Sequence, residues 1–387
     1  MVSLTSAENA LKSYYLGVVA NQLNTGINPL LAKIRQTSSD VWGKEVRKLA
    51  PYGLNGGISA GTETGELPAA GGNSYEQLCL TLKNLYGKIE ISDKAVRASQ
   101  SNAGAFVNLL NAEMEGLLNA AAFNFGRMLF GDGSGKLATV AVKPTTAYVE
   151  VDTTLGIMEG QILDFCTSAG PAEGLTGFRV LAVDRANNEL KLDRTPTGAD
   201  TTHFLTVQGS FNNELTGLGA IFATSGTIYG LSKSSYSWLV AHKTATSTTI
   251  SDAVLQKMAD SLEMDAGSRV NMIVCSAGVR RAYQNYLLTN TRNVDVVNLE
   301  GGYKAISFSG IPLVADKFCP AKHLYMLNTD DFKLHQLCDW KWLEGENGRV
   351  LRQMENKPVY TATLVKYADL MCDKIYGQGV FTNITEA

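Results

Sequence analysis

The chain is 387 residues long, 45% hydrophobic and only 18% charged, with a formal net charge of -3 and a pI near 5.9. That is apolar material for two or three compact units, and the faintly acidic balance excludes binding to nucleic acid or an acidic membrane through overall positive charge. A charged fraction below the usual quarter, beside 37 glycines, leaves a surface that is neutral polar or hidden in contacts, which favours an assembling protein.

Cys79, Cys166, Cys275, Cys319, Cys338 and Cys372 have no framework spacing and stand in apolar or strand-like surroundings, as reduced thiols of a cytosolic chain do. The opening "MVSLTSAENALKSYYLG" lacks the basic-then-apolar order of a secretory leader, and no apolar run approaches a membrane span. The chain is expected to fold in the compartment where it is made.

Residues 1–48 read as an arm: a short helix over "SAENALKSYYLGVVANQL", then "NTGINPLLAKIRQT", broken by Gly26 and Pro29. Lys12, Lys33, Lys44, Lys48, Arg35 and Arg47 against Glu8, Asp40 and Glu45 leave this arm at about +3. Residues 49–95 read as a long β-hairpin. In the returning arm Leu78, Leu80 and Leu82 share one parity and Leu85, Ile89 and Ile91 the other, so a bulge or twist is expected near Asn84 to Gly87. The tip, "GGISAGTETGELPAAGG" from Gly56 to Gly72, cannot build a core. It is a disordered linker, a phosphate loop, an active-site lid or an arm that orders against a neighbouring molecule.

Residues 96–149 are dominated by a helix from about Ser99 to Phe130. Phe106, Leu110, Met114, Leu117, Ala121, Phe125 and Met128 trace one face of it for about 45 Å at 1.5 Å per residue. Gly131 and Gly133 of "GDGSGK" end it. Residues 150–208 change to short strands, "GQILDFC", "TGFRVLAVD", "ELKLD" and "HFLTVQ", with turns at Pro171, Asn187-Asn188 and Pro196-Thr197-Gly198. This is a small all-β insertion. Residues 209–350 mix the helices "SDAVLQKMADSLE" and "AGVRRAYQNYLL" with strands, and 351–387 close the chain with further strands.

Three stretches imitate catalytic or metal motifs. "GDGSGKL" has Leu137 where a phosphate loop needs Ser or Thr, and it follows a helix where that motif follows a strand. Ser276 in "VCSAGVRR" stands at a strand-to-helix turn with Asp316 and His323 or His335 downstream, yet Val274 replaces the first glycine of a nucleophile elbow. A helix N-cap accounts for the same serine. Cys319, His323, His335 and Cys338 have spacings compatible with zinc, but each pair straddles a strand-like segment. No catalytic, cofactor-binding or metal site is assigned.

The order of these elements, with "TGELPAAGGNSYEQL", "LYGKIEISDKAVRAS", "GRMLFGDGSGKLA", "GGYKAISFSGIPLVADKFCP" and the segment from "LYMLNTDDFKLHQL" to "LVKYADL", resembles the major capsid proteins of tailed bacteriophages, the Hong Kong 97-like family. The resemblance covers most of the chain outside 150–208. It implies an α+β fold with an N-terminal arm (1–48), an extended loop (49–95), a peripheral domain with a spine helix (96–149), the β insertion (150–208), an axial domain (209–350) and C-terminal strands returning to the peripheral domain (351–387).

By that resemblance the chain is a non-enzymatic virion subunit. It would assemble with itself as pentamers and hexamers into an icosahedral shell around double-stranded DNA, without sequence-specific binding and without a membrane. The partners implied are a separate scaffolding protein, a portal and a decoration protein, with assembly in the host cytoplasm. The Gly-rich tip then lies across a neighbouring subunit, with Ile58, Glu63, Glu66, Leu67 and Pro68 as its contacts. Some relatives crosslink their shells through a loop lysine; none stands between Lys48 and Lys83, so a tip isopeptide is not expected. Two other readings stand beside this one: an encapsulin-type compartment holding protein cargo, and a serine hydrolase using Ser276 with the hairpin as lid.

Overall fold

The computed structural model describes residues 28–94, 103–290, 296–298, 304–343, 350 and 352–387. The helix read over residues 6–23 and the residues 99–102 at the start of the long helix lie outside them.

The hairpin pairs β2 (Glu45–Tyr52) with β3 (Ser74–Thr81), antiparallel, from Glu45 opposite Thr81 to Tyr52 opposite Ser74. It therefore begins inside the segment read as arm, because Val46 is buried beside Leu78 and Leu80 in the main core. Leu82 donates its N–H to the Lys44 carbonyl at 3.0 Å, and the chain then leaves the hairpin as β4 (Lys83–Ser92), which pairs antiparallel with β22 (Val359–Cys372). Leu78, Leu80, Leu82, Leu85, Ile89 and Ile91 are all buried. Their change of parity is the passage from one sheet to another at Leu82, not a bulge near Asn84 to Gly87. A strand that changes partners is free to turn its other side to the core.

β22 is the centre of a five-stranded sheet, with β4 on one side and β20 (Phe332–Trp342) and the short β21 (Arg352–Gln353) on the other; β1 (Arg35–Thr37) runs parallel to β20. Before β1 comes α1 (Pro29–Lys33). Pro29 opens this helix, since a first-turn residue needs no amide hydrogen, and the Asn28 side chain accepts the Leu30 and Leu31 N–H groups.

The long helix is α2 (Ala103–Met128). Met114, Leu117 and Ala121 are half-buried and Phe125 and Met128 buried, so contact deepens toward its C-terminal end. Phe106 and Leu110 lie on its backbone, and their side chains are outside the described residues. A Cβ on Gly87 of β4 would stand 3.0 Å from Leu117 Cδ1; glycine lets helix and strand close on each other.

The β module forms one antiparallel sheet in the order β5 (Lys136–Thr139), β11 (Phe204–Val207), β7 (Ile162–Thr167), β9 (Phe178–Asp184), β10 (Glu189–Leu192), β6 (Tyr148–Glu150), with β8 (Gly170–Pro171) on β7. A bridge between Val140 and Val151 and the bonds Ala141 N–H to Glu150 O and Asp152 N–H to Thr139 O join its two ends into a closed barrel. The module starts upstream of residue 150, because Leu137, Ala138 and Val140 belong to its apolar core with Phe165, Phe178 and Leu205.

A mixed seven-stranded sheet runs in the order β14 (His242–Thr244), β23 (Gly379–Phe381), β19 (Leu324–Leu327), β15 (Met272–Cys275), β18 (Ile311–Ala315), β17 (Lys304–Phe308), β16 (Val296–Asn298). Ile273, Cys275, Leu324 and Met326 share a core with helices α4 (Asp252–Ala266) and α5 (Ala277–Thr289), while Met272, Val274, Tyr325 and Leu327 enter the main core on the other face. Both faces are covered, which is why these strands read as unbroken apolar runs. The small helix α3 (Leu218–Ile221) and the two-residue strands β12 (Thr227–Ile228) and β13 (Leu231–Ser232) complete the main core.

Two strands sit elsewhere than the sequence blocks suggest. β20 pairs with β22, outside the sheet that holds most of residues 209–350, and β23 returns to that sheet after β22 has left it.

Candidate assembly surface

Residues 53–73 are exposed throughout, with Gly57 alone half-buried. Ile58 and Leu67 are 87% and 91% exposed, and Leu54 is 97% exposed. The glycines have a steric purpose here. A Cβ on Gly71 would collide with the Gly57 amide nitrogen and with Asn55 Oδ1, which itself accepts the Gly57 N–H at 3.0 Å. At the far end Gly65 N–H closes a turn on Thr62 O. Glu63, Glu66, Leu67 and Pro68 follow that turn or form it, side by side in chain order and clear of the body.

The base of the hairpin is fastened. On its inward face Lys48 reaches Asp373 at 2.8 Å, and Lys333 reaches the same carboxylate at 3.0 Å. Burial pushes the Asp373 carboxyl up, but the two ammonium contacts outweigh it and hold it below the ordinary range. Tyr236 donates to Glu76 at 2.6 Å, Tyr52 stacks on Trp238 with centroids 5.9 Å apart, and Cys79 N–H reaches Tyr229 O. Tyr229 holds a positive φ of 50° and also accepts the Cys372 N–H, tying hairpin and β22 together. A fastened base with an exposed tip can present the tip to another molecule and do little for its own subunit.

The outward face of the same hairpin carries further apolar side chains that sequence reading passed over. Leu49 and Tyr75 are exposed there, and Trp42, at the turn leading into β2, is 84% exposed. Alternation in "EVRKLAPY" signals it: with Val46 inward, Arg47, Leu49 and Pro51 face out.

Where α2 ends, three polar contacts join helix, barrel exit and sheet. Arg127 makes a two-point ion pair with Glu214, 2.9 and 2.5 Å, both side chains buried. The Asp369 carboxylate of β22 accepts Thr216 N–H at 2.7 Å and its hydroxyl at 2.9 Å. Burial raises the Asp369 pKa to about 6 against those bonds. Lys83 donates to Asn212 O at 3.2 Å.

The catalytic look-alikes have structural occupations. Ser276 caps α5 by accepting the Val279 N–H and donates its own hydroxyl to Glu386. His323 turns its Nδ1 to Ala321 O, and the buried His335 has no hydrogen-bond partner on either ring nitrogen among the described residues. In "GDGSGK" Asp132 accepts the Ser134 N–H, a turn after the helix end, with Gly133 and Gly135 at positive φ. Cys319 Sγ lies on the Pro320 and His323 carbonyls; among the described residues no group of three or more His, Cys, Asp or Glu is placed to hold a metal.

No protein-family model and no curated protein sequence matches the chain. Among solved structures it is similar to a chain of the cyanophage A-1(L) capsid asymmetric unit, at 15% identity and a TM-score of 0.59 over 93% of each chain. Weaker likenesses are to the capsid of Myoviridae phage XM1, 9% identity and TM-score 0.48 over 92% of each chain, and to the holo-SrpI encapsulin complex of Synechococcus elongatus PCC 7942, 9% and 0.47 over 92% of this chain and 88% of that one. The assignment of fold rests on the first. Over 93% of its length, this chain has the α+β, Hong Kong 97-like fold of tailed-phage major capsid proteins.

Proposed function

We propose that the chain is the major subunit of an icosahedral phage shell, built from its own pentamers and hexamers and enclosing double-stranded DNA, with no catalysis of its own. The observation that carries this reading is the hairpin: a fastened base and a tip whose apolar and acidic side chains are exposed. Such a tip is worth ordering only against a second molecule. In this reading the five-stranded sheet and α2 are the peripheral domain, the seven-stranded sheet with α4 and α5 the axial domain, and the barrel an insertion at contacts between capsomers or on the outer surface. A separate scaffolding protein, a portal and a decoration protein are its further partners, and assembly takes place in the host cytoplasm.

The test is to express the chain with its scaffold and to replace residues 56–72 by Asn-Gly. The wild type is expected to give closed particles in micrographs. The replacement should leave the subunit melting temperature nearly unchanged, since the tip buries little area at about 25 cal/mol per Å², while closed particles vanish. Normal shells from the replacement, or monomers from the wild type under all conditions, would sink the reading; shells filled with protein cargo would favour the compartment.

A further inference from the structure

We propose that Lys366, Gln336 and Asp339 form a self-modifying site, in which the Lys366 amine displaces ammonia from the Gln336 side chain and leaves an isopeptide bond between β20 and β22. The step takes place within one subunit and holds whether or not the chain builds a shell.

Lys366 stands in the middle of β22, opposite Leu85 of β4, and its side chain is only 3% exposed. Lysine is almost never buried to this degree without a partner. Its Nζ lies 5.1 and 5.8 Å from the ring centroids of Phe125 and Trp340, and it meets two polar atoms, Gln336 Oε1 at 2.9 Å and Asp339 Oδ1 at 2.6 Å. A regular strand would keep those two apart, because residues three positions apart point to opposite faces. β20 is irregular at this place. Gln336 stands opposite Ala368 and Lys341 opposite Val365, with register shifts on both sides of Cys338, so β20 carries two residues more than β22 across the stretch. Bulges re-aim side chains, and these turn an amide and a carboxylate onto one amine.

Amide exchange needs a close amine, an acyl carbon and a proton carrier, and all three meet here. Asp339 takes a proton from the Lys366 ammonium, and the freed nitrogen attacks Gln336 Cδ. The Nζ–Cδ bond forms and the Cδ–Nε2 bond breaks. Both protons that Nζ gives up pass by way of Asp339 to the departing nitrogen, which leaves as ammonium. Net charge is unchanged, and no oxidant or co-reactant is consumed. Holding the amine against the amide makes the encounter intramolecular. The Asp339 side chain is 67% exposed, so the released ammonium has a way out to water.

The purified full-length subunit is incubated at mildly alkaline pH and its intact mass followed by mass spectrometry. A mass below that of the sequence by one ammonia is the expected result, with a branched peptide joining Gln336 to Lys366 after digestion. Gln336→Met, which retains the Lys366–Asp339 ion pair, should keep its full mass, and Asp339→Asn should lose ammonia about a hundredfold more slowly than wild type. An unchanged wild-type mass would overturn the proposal and leave a buried ion pair. So would a deficit that persists in Gln336→Met, or the loss of one water with Lys366 joined to Asp339. Each of these readings is made on free subunits, so none of them bears on shell assembly.

Discussion

The hydroxyl of Ser276 donates to the carboxylate of Glu386, 110 residues further along the chain and directly at the N-terminus of α5. Lys322 N–H reaches the same carboxylate at 2.7 Å, and Arg281 holds the Ala387 carbonyl at 3.0 Å. A carboxylate placed there complements the unpaired N–H groups and the helix dipole. A Cβ on Gly278 would collide with the Glu386 side chain, so glycine keeps the seat open. Glu386→Ala should cost about 1 kcal/mol of stability, and Ser276→Ala, which also loses the N-cap, about 1–2 kcal/mol. Calorimetry checks both. Esterase activity that disappears in Ser276→Ala would restore the hydrolase reading.

The Arg127–Glu214 pair locks the end of α2 to the barrel exit. Removing one partner strands a buried charge, so Glu214→Ala should destabilise by about 3–5 kcal/mol, whereas an apolar pair such as Arg127→Met with Glu214→Leu should cost much less. Denaturant titration of the three proteins reads the difference. Equal loss in the single and double variants would mean that packing, not charge, governs the junction.

His335 gives the fold an acid sensitivity. It is buried between Thr37 of β1 and Asp369 of β22 in register. Burial first, then the nearby Lys48, lower its pKa to about 4, with Lys333 acting the same way and Asp373 and Asp40 opposing. The unfolded chain takes up this proton near pH 6.5 and the folded chain near 4. Stability is therefore complete above 6.5 and falls as pH drops to 4, by about 3 kcal/mol. Asp316 and Asp369, both raised to about 6 chiefly by burial, act in the opposite sense, gaining stability as pH falls from 6 toward 3.8. Both remain in His335→Phe, so the comparison isolates the histidine. Wild type minus variant should decline steadily over that window; a constant difference would show that His335 does not titrate there.

The barrel should be removable, but only at its true neck. Ser134 O accepts the Asn212 N–H at 2.9 Å, and a Cβ on Gly135 would stand 2.6 Å from Ser210 O, so the two connecting strands touch. Deleting 136–209 with a short Gly-Ser link should leave a remainder that unfolds cooperatively. Deleting 150–208 leaves Leu137, Ala138 and Val140 without their core and should aggregate. If the longer deletion yields no folded protein, the barrel is not a separate module.

Much of the candidate surface was legible because it depends on what a segment lacks. Only Ile58 and Leu67 are large and apolar in Gly56–Gly72, and no fold could bury that stretch within one subunit. The outward face with Trp42, Leu49 and Tyr75 was less legible, since an apolar residue reads as core until its neighbours are known. A cleft beside the long helix was not legible at all. Leu85, Ala121, Gln208 and Trp340 come from four distant segments, and no local pattern links them.

By itself the sequence determined the elements whose cause is local. The 3.6-residue spacing from Met114 to Met128 drew α2, Ser251 and Gly267 bounded α4, and Asn188 and Gly198 turned the barrel strands at positive φ. Only the tertiary structure decided which strands meet. "KLAT" and "YVE" are too short to declare themselves, yet as β5 and β6 they close the barrel. "FKLHQLCDWKW" and "GVF" are plain strands that part company, one joining β22 and the other β14 and β19. A strand's period fixes which side chains share a face, but its hydrogen-bond partners are backbone groups identical at every residue. Partner choice therefore waits on how distant apolar faces pack.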